Sequence, residues 1–394
     1  MNIPLIDLKV QYSVLAEELN KVTLDVLSSA NYILGKNVVE FEKEFAEYIG
    51  VKHAISVGNG TDALVIALKA MGIGNGDEVI TTPFTFFATA ESISAVGATP
   101  VFVDVTKDTF NVDITKIEEK ITRKTKAIMP VHIFGQSADM DEINKIAKKH
   151  NLLVIEDACQ AIGAKYKNRM IGSLGDLACF SFFPTKNLGC AGDGGMIVTD
   201  NDDLAVIIRA LRTHGSGENG QKAFNLLNGV KEDIMKAEIS NDTVYNPLKY
   251  YNYLIGYNSR LDAIQAAILR VKLKEIDNWN SKRRAIVDIY NEEFKELDLV
   301  IPVCDKENEH VYHMYILQSE NRNKILEKLK ERGVATGVYY PVPLHLQKVY
   351  KNLGYKEGDM PVAEYLSNRT FAIPVYPELT EEQIKYIIDS IKNN

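Results

Sequence analysis

The chain has 394 residues, a length typical of about two domains, and its 46% hydrophobic and 25% charged content is that of an ordinary globular protein. The formal net charge of −8 argues against a general nucleic-acid surface. No apolar run approaches the roughly 20 residues that a bilayer span requires, so no membrane association is expected.

The first residues, MNIPLIDLKVQY, lack the basic-then-apolar pattern of a secretion signal. The four cysteines have neither disulfide-like nor metal-like spacing, so we expect reduced thiols and no metal site. Both observations predict a cytoplasmic protein.

Hydrophobic spacing predicts two N-terminal helices, over residues 12–29 and 38–49, and strand and helix patterns then alternate. The predicted strands cover residues 53–57, 78–82, 100–103, 126–130, 152–155, 177–183 and 196–199, and the helices between them 61–71, 86–96 and 140–150. This alternation predicts an α/β domain with a mostly parallel seven-stranded sheet between helices.

The pattern changes after residue 199. Residues 215–257 are polar and rich in glycine and tyrosine, among them Tyr245, which is typical of a functional segment or an interface. One long amphipathic helix is predicted over 259–284. Helices at 286–294, 322–332 and 381–392 and strands at 311–316 and 335–338 then predict a smaller α+β domain. We therefore predict a large domain over 1–256 and a small domain over 257–394.

Two charged residues stand at the ends of predicted core strands. Lys186 follows the strand that stops at Pro184, and glycines surround it on the far side. Asp157 ends the apolar run LLVIED, where open α/β sheets bind ligands. Pyridoxal phosphate (PLP) requires a lysine for its aldehyde and a carboxylate for its ring nitrogen, so the pair fits this cofactor. The alternatives are a surface-turn lysine and an aspartate that caps a helix.

A glycine motif, Gly58-Asn59-Gly60-Thr61, lies between a predicted strand and a predicted helix, where free N–H groups bind phosphate. The spacing also fits the dinucleotide fingerprint G-x-G-x-x-A, which would make the protein an NAD enzyme. That alternative lacks an acidic residue at the end of the next strand and assigns no role to Lys186 or Asp157.

Six motifs in order resemble the DegT/DnrJ/EryC1/StrS sugar aminotransferases, which are PLP enzymes of the aspartate aminotransferase fold (fold type I). The motifs are GNGTDAL (58–64), PFTFFATAES (83–92), EDACQAIGA (156–164), SFFPTKNLG (181–189), GDGGM (192–196) and YNSRLDAIQAAI (257–268). The resemblance covers nearly the whole chain.

The resemblance implies roles for cofactor-binding residues. Lys186 would carry the cofactor aldehyde, Asp157 would contact the ring nitrogen, and Phe86 would stack on the ring. Gln160 would bond the phenolic oxygen. The phosphate would be held by Gly60, Thr61 and Ser181, and by Asn258 of the other subunit, which implies a homodimer with shared active sites.

The substrate residues are less sharply indicated. Arg212, His214 and Arg260 are candidates for a diphosphate, and Tyr339 and His345, in YYPVPLHLQ, for a sugar. The loop most resembles that of relatives acting at C3. The resemblance thus implies transfer of an amino group from L-glutamate to a dTDP-linked 3-keto-6-deoxyhexose, giving a 3-amino-3,6-dideoxyhexose. Alternatives are a C4 aminotransferase on a dTDP- or UDP-4-keto sugar, a non-catalytic regulator, and a sugar dehydratase of the same family, which would carry histidine in place of Lys186.

Overall fold

The computed structural model describes residues 1–235 and 250–392. Its centre is a seven-stranded sheet in the order β1-β9-β8-β5-β4-β2-β3. The strands are β1 (His53–Val57), β2 (Glu78–Thr81), β3 (Thr99–Phe102), β4 (Thr125–Ile128), β5 (Leu153–Asp157), β8 (Leu177–Ser181) and β9 (Gly195–Thr199). All run parallel except β9, which is antiparallel to both neighbours. The predicted fold class is confirmed.

Helices cover both faces of this sheet, as the apolar strands require. They are α1 (Leu8–Ser29), α2 (Lys36–Ile49), α3 (Gly60–Ala70), α4 (Ala88–Ala95), α5 (Met140–His150), α6 (Asp202–Leu211), α7 (Gly217–Asn228) and α8 (Ala263–Leu273). In β8, Ala178 and Phe180 face the core under α2, α5 and α8, whereas Leu177 and Cys179 face the core under α3 and α6. Alternate side chains of one strand thus belong to two cores.

A smaller α+β unit follows. It contains α9 (Ile276–Phe294), α10 (Arg322–Glu331), α11 (Pro361–Arg369) and α12 (Glu381–Lys392), with β11 (Tyr315–Gln318) antiparallel to β12 (Thr370–Ile373). The N-terminal Ile3 joins this core and bridges to Val334. Three two-residue strands, β6 (Lys165–Tyr166), β7 (Arg169–Met170) and β10 (Asn308–Glu309), form a small third sheet.

Several sequence-based predictions differ from the structure. The single helix over 259–284 is two helices, α8 and α9, with a break at Lys274–Glu275. Residues 335–338 form no strand and contribute one bridge, from Gly337 to Ala372. The segment 215–257, predicted to be irregular, contains α7; its residues 236–249, with Tyr245, lie outside the described residues.

The helix α8 packs against α1 and α2, and its side chains belong to the core of the large domain. The C-terminal half of α9 instead contributes Ile286, Val287 and Tyr290 to the core of the small domain. We therefore propose a domain boundary inside α9 rather than near Tyr257. No helix in the described part of the chain is long and apolar enough to cross a membrane.

Candidate active site

A cavity of about 600 Å³ lies at the edge of the sheet where the parallel strands end. Eight of the predicted site residues line it: Gly60, Thr61, Phe86, Asp157, Gln160, Ser181, Lys186 and Tyr339. Seven of these residues come from four separate motifs and Tyr339 comes from the YYPVPLHLQ loop. The fold brings the motifs together because β1, β5 and β8 end at the same edge.

The carboxylate of Asp157 is held in place from two sides. The side chain is buried; its Oδ2 accepts a hydrogen bond from Thr89 Oγ1 at 2.8 Å, and its Oδ1 accepts one from the Cys159 backbone N–H at 3.3 Å. Thr85 Oγ1 contacts Thr89 Oγ1 at 3.1 Å, which extends the network. Neither threonine was predicted, although both lie in the PFTFFATAES motif. A buried carboxylate with fixed orientation suits a protonated ring nitrogen.

The neighbouring Glu156 points to the opposite face of β5 and has a structural environment. It is fully buried and accepts backbone hydrogen bonds from Gly172, Leu174 and Gly175 at 2.7–2.9 Å. His132 lies 3.0 Å from its Oε2 through Nε2. Since His132 Nδ1 accepts from the Ala138 N–H, we assign the imidazole proton to Nε2, which donates to Glu156. Glu156 thus anchors the loop beside the strand that ends in Asp157.

Lys186 follows β8 and points into the cavity with a partly buried side chain. Its backbone N–H donates to the Phe183 carbonyl at 2.8 Å, which closes the turn at the strand end. Burial lowers the pKa of the Lys186 amine, while Cys159 and Asp157 act in the opposite direction. The neutral, nucleophilic amine is therefore more populated than in an exposed lysine.

The N-terminus of α3 provides an anion site on the same cavity. Asn59 caps the helix by accepting from the Asp62 N–H at 2.8 Å. The N–H groups of Gly60 and Thr61 precede the first bonded turn, where helices bind phosphate. A Cβ on Gly60 would lie 2.7 Å from the Cβ of Ser181, so only glycine lets α3 approach the end of β8 this closely.

Aromatic and amide groups form the remaining walls. The ring of Phe86 is 61% exposed and lines the cavity. Gln160 accepts from the Phe134 N–H at 3.0 Å and donates through Nε2 to Tyr340 Oη at 2.9 Å. Burial raises the pKa of Tyr340, so its phenol stays protonated. His313 also lines the cavity and was not singled out in the sequence, since it stands in an apolar run without a neighbouring motif residue.

Two predicted substrate residues have other partners. Arg212 is buried away from the cavity, pairs with Glu42 and donates to the Ser56 carbonyl at 2.8 Å. His345 is 1% exposed, with Nε2 3.0 Å from Glu364 Oε1. Neither side chain lines the cavity of its own chain, so a substrate contact of Arg212 or His345 stays a prediction.

Three further candidates, His214, Asn258 and Arg260, do not line the cavity of their own chain. His214 and Asn258 are exposed and Arg260 is partly exposed. Asn258 bridges to Thr213, and Ser259 donates through Oγ to Asp62 Oδ2 at 2.6 Å. The segment 258–260 is therefore fixed beside α3.

The donor set fits PLP. Lys186 would carry the aldehyde, Asp157 would hold the ring nitrogen, Phe86 would cover the ring, and the N-terminus of α3 would bind the phosphate. When bound, PLP supplies an electron sink for a carbanion at the amino-acid α-carbon. Removal of the α-proton requires a positioned base, and the Lys186 amine, which lines the cavity and has a lowered pKa, can take this proton.

The profile of the DegT/DnrJ/EryC1/StrS aminotransferase family matches residues 13–392. The chain is 47% identical to the pleiotropic regulatory protein of Geobacillus stearothermophilus, over 99% of this chain and 98% of that protein. It is 41% identical to the UDP-N-acetyl-3-dehydro-alpha-D-glucosamine 3-aminotransferase of Acidithiobacillus ferrooxidans, over 99% of this chain and 97% of that protein. It is 40% identical to the dTDP-3-amino-3,6-dideoxy-alpha-D-galactopyranose transaminase of Aneurinibacillus thermoaerophilus, over 99% of this chain and 98% of that protein.

Among solved structures, DesV of S. venezuelae superposes with a TM-score of 0.90 at 37% identity, with 100% of this chain and 98% of that chain covered. The likeness thus extends through both domains and includes the motifs that build the cavity. The chain belongs to the DegT/DnrJ/EryC1/StrS aminotransferase family and is a PLP-dependent aminotransferase.

Proposed function

We propose that the protein transfers the amino group of L-glutamate to a nucleotide-linked keto sugar. The observation that carries this proposal is the Lys186–Asp157 pair in one cavity, with a buried carboxylate and an amine of lowered pKa. A sugar dehydratase of the same family would carry histidine at residue 186, and the lysine favours the aminotransferase. A dinucleotide enzyme would use neither residue.

In the proposed mechanism, Asp157 would hold the ring nitrogen of the bound cofactor in its protonated form. Thr89 holds Asp157 Oδ2 by the 2.8 Å hydrogen bond, so the carboxylate needs no reorientation. Lys186 Nζ removes the proton from the donor's α-carbon in the first half-reaction and delivers one to the sugar carbon in the second. Phe86 lines the cavity, where it would cover one side of the ring and exclude water.

For the acceptor we propose a dTDP-linked 3-keto-6-deoxyhexose, which would give a 3-amino-3,6-dideoxyhexose. Two of the relatives above have names that place the amino group at C3, one on a dTDP sugar and one on a UDP sugar. Tyr339 from the YYPVPLHLQ loop lines the cavity and offers a hydroxyl and a flat surface to a sugar. A C4 aminotransferase on a dTDP- or UDP-4-keto sugar remains the alternative.

We further propose a homodimer in which Asn258 and Arg260 complete the partner's site. The segment is fixed beside α3, yet it does not line its own cavity. Exposed apolar side chains nearby, Phe183 and Ile255, would be covered by such an interface. The four free cysteines are compatible with a cytoplasmic location.

One experiment separates these proposals. The yellow holoenzyme is mixed with L-glutamate, and the loss of cofactor absorbance is followed. It is then offered 3-keto and 4-keto dTDP and UDP sugars at equal concentration, with products identified by mass and NMR. We expect bleaching by glutamate and preferred conversion of the dTDP 3-keto sugar. Preference for the 4-keto sugar would overturn the C3 assignment, and absence of bleaching would favour a non-catalytic regulator.

A further inference from the structure

A second, smaller cavity of about 80 Å³ adjoins the active-site cavity. Four residues line both: Thr185, His313, Met314 and Tyr339. Lys186 lines the larger cavity only, but its neighbour Thr185 lines both. Its far wall comes from the N-terminal segment, α9 and β12. The sugar and cofactor roles assigned above leave this cavity without an occupant.

The charged group of the small cavity is Arg283 on α9. Its side chain is 2% exposed, and both hydrogen bonds that it makes within the described residues leave from Nη1, to the Tyr312 carbonyl at 3.1 Å and the Val375 carbonyl at 2.6 Å. Nε has no hydrogen-bond partner in the described part of the chain. Burial lowers the pKa of Arg283 to about 10, so the guanidinium is still charged at neutral pH.

No carboxylate of the described residues forms an ion pair with this guanidinium. The acidic group that acts on it is Glu378, which lies beyond ion-pair distance and whose own pKa is raised by burial. A buried cation without a hydrogen-bonded anion is costly, and an anionic ligand at the same place would offset that cost.

A second polar side chain, the imidazole of His313, lines the same cavity. His313 is 7% exposed, and its Nδ1 has no hydrogen-bond partner among the residues described. Burial, with Lys186 and Arg283 nearby, holds the pKa of His313 well below its usual range, so the ring is neutral. A neutral imidazole still donates one N–H. The cavity thus combines a buried guanidinium with an uncharged hydrogen-bonding group.

We infer that Arg283 and His313 bind one carboxylate of the amino donor. The inference rests on the proposed function, since it assumes an amino-acid donor that reacts beside Lys186. The cavity has room for roughly two or three water molecules, which suits a carboxylate with one methylene group and excludes a nucleotide diphosphate. Guanidinium and carboxylate are complementary in charge and geometry.

The test uses glutarate, a dicarboxylate without an amino group, titrated calorimetrically into the holoenzyme. Arg283→Lys keeps the charge and loses the planar fork, and Arg283→Gln removes the charge. Arg284→Gln is the matched control, because Arg284 is the adjacent arginine but pairs with Glu309 at 3.1 Å. We expect glutarate affinity to fall about 10-fold or more in both Arg283 variants and to stay within about 2-fold in the control.

His313→Phe gives an independent variant that leaves Arg283 in place, and we expect it too to weaken glutarate binding. Unchanged glutarate affinity in folded Arg283→Lys and His313→Phe would overturn the inference. So would an equal loss in Arg284→Gln. The same preparations are mixed with L-glutamate, and the glutamate concentration that gives half-maximal bleaching rate is compared between variants. If wild type is bleached and this concentration is unchanged in Arg283→Lys, the carboxylate site is rejected while the proposed function stands. No bleaching of wild type by any amino acid would overturn both.

Discussion

Replacing Glu156 by glutamine should destabilise the protein by loss of hydrogen bonds at a fully buried position. Oε1 accepts from the N–H groups of Leu174 and Gly175, and Oε2 accepts from Gly172 N–H and His132 Nε2. A glutamine amide has one oxygen, so in either orientation its NH₂ group faces two donors. A change of the His132 tautomer would not help, because the new Nδ1–H would then face the Ala138 N–H.

The expected cost follows from these contacts. At least two buried donors lose their acceptor, and each loss costs about 1–3 kcal/mol, which gives about 2–6 kcal/mol in total. With an unfolding entropy of about 2 cal/mol/K per residue over 394 residues, this corresponds to a fall in Tm of about 2–7 °C.

The assay is a thermal scan of cofactor-saturated Glu156→Gln at one fixed scan rate. Glu327→Gln is the control, since it makes the same chemical change at an exposed position of α10. A fall in Tm of less than about 1 °C relative to this control would refute the reasoning, because it would mean that the loop beside Asp157 does not depend on the Glu156 charge.

Three further predictions concern the chemistry of the cavity. Lys186→Ala should fold and bind PLP without covalent attachment, and it should lose turnover; borohydride reduction of wild type should label the peptide that contains Lys186, and a label elsewhere would reject the assignment. Thr89→Val removes the donor to Asp157 Oδ2 and should slow the glutamate half-reaction about 10-fold, whereas Thr89→Ser should restore it; equal rates in the two variants would contradict the role. Because burial lowers the pKa of Lys186, covalent uptake of PLP by the apoprotein should rise with pH. The midpoint of this rise should lie below the ordinary lysine pKa of about 10.4, and a midpoint at or above that pKa would count against a buried amine.

The regular elements of the large domain could be predicted because their local pattern and their burial agree. β1 and α5 have the predicted bounds, since the strand is buried on both faces and α5 carries one apolar stripe. The helix over 259–284 failed for a tertiary reason. Its hydrophobic period runs on across the break at Lys274–Glu275, because Ile276 and Trp279 of α9 still belong to the core of the large domain, as α8 does. Only the C-terminal half of α9 faces the small domain, so the change of core falls inside that helix.

The strand predicted over 311–316 is also wrong in part because a long-range contact overrides the local pattern. Only Tyr315 and Ile316 of that stretch enter β11, where they pair with β12. Val311 instead donates to the Gly135 carbonyl at 3.0 Å, which draws the preceding residues toward the large domain. This long-range bond places His313 at the cavity, a position that no local pattern could indicate.

The same physics separates the predicted site residues that line the cavity from those that do not. Lys186, Asp157 and Gly60 stand at strand or helix ends, where their backbone position alone delivers them to the ligand-binding edge. Arg212 and His345 carry chemistry of the right kind, but their place depends on carboxylates remote in sequence. Glu42 lies on α2 and Glu364 on α11, and each carboxylate contacts a side chain that the sequence alone leaves unpaired. A charged residue near a motif is therefore a weak predictor of a ligand contact until the acids of the surrounding helices are placed.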